Sequence, residues 1–392
     1  MLLCYKFNNH CSFNTDCEFS MEAPMGKVKN RFVDNYYESD TGYDVLKTAV
    51  IVGENAGGKS NFINSIKFFK SLFDNNAPVK SIRSYVNSHS LHEKSNPIQT
   101  YEITILHNTM SIYTYTLFID KNSIVSEKLE KSVKRKGAKS IVFSIEREKE
   151  SDYKFLKGVA EKESRTAIKN SNNSYGLFIS KLALLGNKDA QNVTEWFVTK
   201  LFPGAVQTDQ DSEIKKRDID LEIMQSEKYL RIFRMVDYSI SGIELDEEKP
   251  YSKTLIVRKD AQGNDYRREL QDDSTGVREF FAWAVQIYRV VEENQVVFAD
   301  EMDRVLNPVL SDRVIAYING CEHNGQFIFS THNVLHLDLK RYMKEQIYFI
   351  TKDGEKLTSE LYSLADFPEV RYEVTKIYEF YMKGILGGTA YE

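Results

Sequence analysis

Eight consecutive residues, Gly53-Glu54-Asn55-Ala56-Gly57-Gly58-Lys59-Ser60, match G-x-x-x-x-G-K-S without a departure. Residue types in this order do one kind of chemistry, the binding of phosphate. Glycines let a loop wrap so that successive backbone N–H groups turn inward toward a β-phosphate. A helix directly after the loop adds the positive end of its dipole. Lys59 is then the residue to reach the β- and γ-phosphates, and the Ser60 hydroxyl is the one to coordinate Mg²⁺. ATP and Mg²⁺ are therefore the expected cofactors.

Three further constellations complete the pattern. Val296-Val297-Phe298-Ala299 is an apolar run that ends in adjacent carboxylates, Asp300 and Glu301. Asp300 would hold the Mg²⁺ shell, and Glu301 would polarise an attacking water. About 30 residues on, Phe327-Ile328-Phe329-Ser330-Thr331 reads as another buried strand, and it ends in a lone histidine, His332. Upstream, Asp272-Asp273-Ser274-Thr275-Gly276-Val277 precedes a helical pattern. Ser274 suits an N-cap there, and Ser274 with the Gly276 backbone also offers donors to an anion.

The elements around these residues follow from periodicity. Val45 to Val52 is β-branched and nearly continuous, as a strand buried on both faces should be, and Gly53 ends it. Phe62, Ile63, Ile66, Phe69 and Phe73 recur at helical spacing. Ile98 to Ile119 reads as a hairpin turning at His107-Asn108-Thr109. Helical patterns follow at Leu177 to Leu185, Val193 to Leu201 and Ile219 to Val236. The alternation of strands and helices resumes from Leu255, with a helix from Thr275 to Glu293, a strand from Gln295, a helix after Pro308 and a strand from Gln326. The expected fold is α/β, a head of mixed sheet with flanking helices built from 1–130 and 256–392. A mainly helical arm over 131–255 is expected as an insertion.

The bulk properties set outer limits. The chain has 392 residues and a net charge of −5, which argues against wholesale coating of nucleic acid. A local basic groove stays open, because Lys131, Lys134, Arg135, Lys136 and Lys139 cluster around Gly137. Either a solvated hairpin tip or contacts to DNA phosphates explain that cluster. Cys4, Cys11, Cys17 and Cys321 follow no zinc spacing and suit reduced thiols in a cytoplasmic protein. The uncharged stretch Phe280 to Tyr288 is far short of the roughly 20 residues that span a bilayer, so no membrane partner is expected.

In this order the four constellations resemble the ABC-type ATPases of the repair and chromosome-maintenance class. More closely they resemble the bacterial stand-alone ATPases often labelled AAA family, RloA and AbiL-type phage-defence proteins among them. Phe7, Asn9, Ser12 and Phe13 match that group's F-x-N-x-x-S-F opening, and Asp300-Glu301-Met302-Asp303 with Asn307-Pro308 resembles its D-E-h-D-x-x-h-H-P segment. Leu361-Tyr362-Ser363-Leu364, Asp366-Phe367 and Tyr381-x-x-Gly384 match its C-terminal signature. Two departures stand out: the signature segment reads Ser274-Thr275-Gly276-Val277, and Asn307 replaces the histidine of the H-P pair. The glutamine that usually follows the P-loop is not obvious, and Gln99 is the candidate, as a metal contact.

The resemblance implies an ABC-type P-loop ATPase head. Glu301 and His332 would be catalytic. Ser274 and Gly276 would meet the γ-phosphate on an opposing copy, in an ATP-sandwich dimer or higher even oligomer. It further implies a nucleotide-driven switch in anti-phage defence that controls a separately encoded effector or toxin. The alternative is a DNA repair or nuclease-associated ATPase acting directly on DNA. A fused nuclease domain would need carboxylate motifs of its own, and only 60 residues follow His332. Repair and chromosome proteins carry long coiled-coil arms, whereas no heptad persists here.

Overall fold

The computed structural model describes residues 1–73, 89, 98–120, 124–149, 152–158, 176–204, 218–373 and 376–387. Strands β1 (Leu2–Asn8), β2 (Cys17–Ser20), β3 (Tyr36–Glu38), β4 (Asp44–Leu46) and β5 (Thr48–Gly53) come first, followed by helix α1 (Lys59–Ser71). Then come β6 (Gln99–His107), β7 (Ser111–Ile119), β8 (Ile124–Ser132), β9 (Ser140–Lys149) and β10 (Asp152–Gly158). Helices α2 (Phe178–Leu184) and α3 (Lys188–Glu195) lead to β11 (Leu201–Pro203), and α4 (Asp218–Met224) and α5 (Glu227–Phe233) lead to β12 (Ile240–Glu244), β13 (Leu255–Lys259) and β14 (Asp265–Glu269). The last section holds α6 (Thr275–Val291), β15 (Val296–Ala299), α7 (Met302–Val305), α8 (Pro308–Gly320), β16 (Gln326–Thr331), β17 (Ile347–Asp353), β18 (Thr358–Ser363) and α9 (Ile377–Met382).

Two large sheets organise the chain. The six-stranded sheet has the order β11-β15-β16-β5-β17-β18, parallel except for the antiparallel edge strand β18. The seven-stranded sheet has the order β10-β9-β8-β7-β6-β1-β2 and is antiparallel throughout. The chain is thus the α/β, mixed-sheet protein expected of an ABC-type P-loop ATPase head. Among the described residues, no helix is long and apolar enough to cross a membrane.

Strand β5 shows why its sequence is continuously apolar. Ala49 and Ile51 enter the core layer that holds β1, β6 and α1, while Val50 and Val52 enter the layer under α6 and α8. Both faces are covered, so the strand's one polar side chain, Thr48, is bonded inside the protein, to Asn319 and Gln346. Helix α1 turns Phe62, Ile63, Ile66 and Phe69 into the first layer, where all four are buried. Each such side chain contributes about 1.5–3 kcal/mol on burial. The run from Val45 to Val52 is not one strand, however. Lys47 divides it, because its ammonium is drawn to the carbonyls of Asn319 (2.9 Å) and Cys321 (3.0 Å). The segment before it pairs with β3 instead.

The stretch 131–255, expected as a mainly helical arm, holds strands as well as helices among its described residues. In its described part, this stretch opens with the end of β8 and with β9 and β10, which extend the antiparallel sheet. Helices α2 and α3 follow and pack on that sheet's core, whereas α4 and α5 pack against α6 in the other core. The physical reason is one-sided burial. Along β8, Ile124, Glu127, Leu129 and Ser132 point inward while charged residues between them face out, and such a charge-rich strand reads as a polar helix.

Candidate functional site

Parallel strands bring their C-terminal ends to one edge, and registry decides what meets there. Strand β16 lies between β5 and β15, with Thr331 opposite Val52 and Phe329 opposite Ala299. The loop after β5, the carboxylates after β15 and the histidine after β16 therefore converge. One cavity of about 160 Å³ gathers them: Glu54, Asn55, Ala56 and Gly58 from the loop, Lys59, Ser60 and Asn61 from the start of α1, and Glu301 and His332 from the neighbouring strand ends. Two larger cavities, about 350 and 540 Å³, contain none of these residues. Chemistry rather than size singles out the smaller one.

The loop needs its glycines at identifiable places. A Cβ on Gly53 would lie 2.3 Å from the Ile350 carbonyl oxygen of adjacent β17. Gly58 has φ +122°, and a Cβ there would lie 2.5 Å from the Ser359 hydroxyl oxygen. Ala56 is held at φ 61°, in the left-handed region that non-glycine residues avoid. Local strain of this kind recurs where a loop must present its amides. Helix α1 begins at Gly58 with no side-chain cap, so its first N–H groups are left to face the cavity.

Lys59 is buried, and its ammonium donates to the carbonyls of Gly53 (2.7 Å) and Glu54 (2.8 Å). Burial pulls its pKa below the ordinary lysine value, opposed by the carboxylates of Asp300, Asp303, Glu301 and Glu54. Ser330 organises the acidic end. Its hydroxyl donates to Asp300 Oδ1 (2.5 Å) and accepts from the Glu301 N–H (2.8 Å). Glu301 itself sits at φ 52°, which turns the chain so that its side chain lines the cavity while α7 starts behind it. Asp303 Oδ1 accepts the His332 N–H at 3.0 Å and ties the third strand end to the second.

These residues fit a nucleotide with its metal. The loop offers backbone donors and an ammonium to phosphate oxygens, and Ser60 and Asp300 are oxygen donors of the kind Mg²⁺ takes. Among the described residues, no group of three or more His, Cys, Asp or Glu side chains could hold a metal alone.

Ser274 and Gly276 lie elsewhere and line none of this cavity. Ser274 caps α6, accepting the Val277 N–H at 3.4 Å. Its neighbour Asp273 is fixed by a two-pronged bond from Arg258 on β13 (2.7 and 3.1 Å) and by the Ser274 N–H (2.7 Å). The Ser274 side chain is exposed, and a Cβ on Gly276 would meet nothing within 4 Å. Gln99 is also apart. Its side chain is fully buried in β6 and donates to the Asn9 carbonyl at 2.5 Å. Gln99, the candidate metal contact, thus supports the turn after β1 and lines none of this cavity. Asn307 has a plain role as well, capping α8 through the Leu310 N–H (3.0 Å), with Pro308 at the first helical position.

Sequence reasoning missed how polar side chains brace the loop from behind. Ser359 on β18 bonds the Gly57 carbonyl (2.6 Å), and Ser12 contacts both Ser359 (2.8 Å) and Asn61 (2.9 Å). Asn61 directly follows the motif and could have been found. Ser359 lies 302 residues from Gly57, and nothing local marks it. The basic cluster is partly neutralised within the chain, because Lys131 pairs with Asp189 (2.7 Å) and Arg135 with Glu22 (2.7 Å).

Residues 49–338 match the family described as "AAA domain, putative AbiEii toxin, Type IV TA system". Solved structures similar to the chain include the SMC head domain from Thermotoga maritima, at 15% identity and TM-score 0.44, covering 92% of this chain and 98% of that one. Another is the Smc head bound to the C-winged helix domain of ScpA, at 12% identity and TM-score 0.47, covering 92% and 97%. No curated protein matches the chain. The family match spans the loop, both carboxylates, the histidine strand and the Ser274 turn, and by it the chain belongs to the AAA-domain, AbiEii-type family of P-loop ATPases.

Proposed function

We propose that the chain binds Mg·ATP and hydrolyses it in a site that a second copy completes. The observation that carries this reading is the convergence of Lys59, Ser60, Glu301 and His332 on one cavity, with Asp300 fixed beside it through Ser330. Lys59 and the loop amides hold the phosphates; Ser60 and Asp300 would hold a Mg²⁺, which when bound would supply charge neutralisation to the phosphoryl group. Glu301 takes the proton of the attacking water, and His332 steadies the charge that develops on the γ-phosphate.

Ser274 and Gly276 supply the opposing face. The exposure of Ser274, and the absence of both residues from the lining of their own chain's cavity, support a role in trans. Lys59→Ala and Ser274→Arg are each expected to abolish hydrolysis. Mixing the two variants should restore up to one working site per dimer, since one composite site then carries both lesions and the other none. No recovery in any mixture, with an ATP-bound protein that stays monomeric by light scattering, would sink the composite site.

On this basis the chain is a nucleotide-driven switch of the RloA and AbiL-like kind, acting in anti-phage defence on a separately encoded effector. The toxin–antitoxin description of its family supports that assignment. The measurement is co-purification with the product of the neighbouring gene in ATP, in ADP and with the Glu301→Gln variant. Absence of a partner in all three states, together with cleavage of DNA or RNA by the chain alone, would return the direct DNA-acting reading to first place.

A further inference from the structure

The bracing of the P-loop from behind has a direction, and that direction follows from counting protons. Ser359 is almost fully buried, at 1% exposure, and its hydroxyl lies 2.6 Å from the Gly57 carbonyl oxygen and 2.8 Å from the Ser12 hydroxyl oxygen. A carbonyl only accepts, so the single Ser359 proton goes to Gly57. The Ser12 hydroxyl must then donate to Ser359, and it in turn accepts from the Asn61 amide at 2.9 Å. A second tie holds the two serines together, since the Ser359 N–H donates to the Ser12 carbonyl at 2.7 Å. The bonds therefore run one way, from Asn61 to Ser12 to Ser359 to the Gly57 carbonyl. They start on the first turn of α1 and end four residues earlier, inside the loop.

We infer that this relay positions the P-loop for nucleotide, and that Ser12 and Ser359 are positioning residues for ATP binding. Pinning the Gly57 carbonyl backward fixes the peptide plane it shares with the Gly58 N–H, and so aims that N–H toward the cavity side. Gly58 is itself pressed against Ser359, so only glycine fits beneath it. Hydrogen bonds in series polarise one another, and losing a middle member loosens the rest. Both serines lie outside residues 49–338, the span of the family match. One comes from the turn after β1 and the other from edge strand β18, so segments from both flanks of that span close on the loop.

The inference rests on the ATP reading, and the experiment separates the two. Binding of Mg·ATP is measured by calorimetry, hydrolysis by steady-state kinetics, and melting with and without nucleotide. Ser359→Ala is expected to raise the Kd and KM for ATP about 10-fold, with kcat at saturation within about 3-fold of wild type. Ser12→Ala should move the same constants in the same direction, and Ser12→Thr, which keeps the hydroxyl, should restore them. Because one relay is broken twice, the double variant Ser12→Ala/Ser359→Ala should lose little more than Ser359→Ala alone. If Ser359→Ala does not fold, the half-exposed Ser12 and its threonine rescue carry the test. Wild-type affinity in folded Ser359→Ala and Ser12→Ala, while Lys59→Ala loses binding, overturns the relay and spares the ATP reading. Losses in the two serine variants that simply add also overturn it. Wild-type nucleotide behaviour in Lys59→Ala as well would remove the ATP reading beneath it.

Discussion

Two helix N-termini in this protein are treated in opposite ways. At α2 the chain supplies its own acid: Glu127, fully buried on β8, accepts the N–H groups of Phe178 (2.8 Å) and Ile179 (2.6 Å). At α1 no side chain caps the first turn, and a buried lysine stands beside the N–H groups. The first end is satisfied internally and serves packing. The second presents donors and positive charge to a cavity ringed by catalytic-type groups, which is how a site for an external anion is built. The difference lies in which partner each end takes, its own carboxylate or a phosphate.

The strongest way to break that contrast is to remove the base at the open end. Glu301→Gln should lower kcat by about 10²- to 10⁴-fold while ATP binds and persists. Wild-type turnover in this variant would show that the cavity's chemistry lies elsewhere. Next in size, Lys59→Ala removes a charged phosphate contact and should weaken ATP binding by about 10- to 100-fold, read by calorimetry. A loss confined to kcat would mean the lysine acts on the reaction rather than on affinity.

The closed end makes a prediction in pH. Burial raises the Glu127 pKa to about 7, against the opposing backbone bonds from Ile179 and Phe178. Because the folded value exceeds the unfolded one, Glu127 favours the folded state most below the ordinary carboxylate range. That contribution is lost as pH rises through about 7 and changes no further above it. Wild-type stability by chemical denaturation should therefore fall by about 3 kcal/mol between the ordinary carboxylate range and about pH 7 relative to Glu127→Gln. Parallel curves for the two proteins would show that the carboxylate is not the titrating group. The smallest effect belongs to His332→Ala, which should slow turnover about 10-fold with little change in ATP affinity, since its contact strengthens only as charge develops. An equal loss of affinity would make it a ground-state contact.

Much of the site was legible because the loop is contiguous. Eight neighbouring residues carry the phosphate chemistry, and the strand before them and the helix after them announce themselves by periodicity. The runs ending in Asp300-Glu301 and His332 were readable for the same reason, since Val296 to Ala299 and Phe327 to Phe329 are continuous apolar stretches, as strands buried on both faces should be. Strands β8 and β9 were not, because outward charges hide a one-sided pattern and helix and half-buried strand then look alike. Position along the chain also says nothing of which way a side chain is drawn, and the carbonyl of Asn9 claims that of Gln99.

The sequence by itself determined the phosphate loop, the carboxylate and histidine strand ends, and the α/β alternation, all properties of residues adjacent in the chain. Only the tertiary structure decided that Lys47 divides a strand, that Glu127 closes a helix end, and that Ser12 and Ser359 meet behind Gly57. Those outcomes depend on hydrogen bonds between groups far apart in the chain, from the 51 residues between Glu127 and Phe178 to the 302 that separate Gly57 from Ser359. A buried carbonyl must find a donor wherever the fold brings one, and no local pattern says in advance which residue that will be.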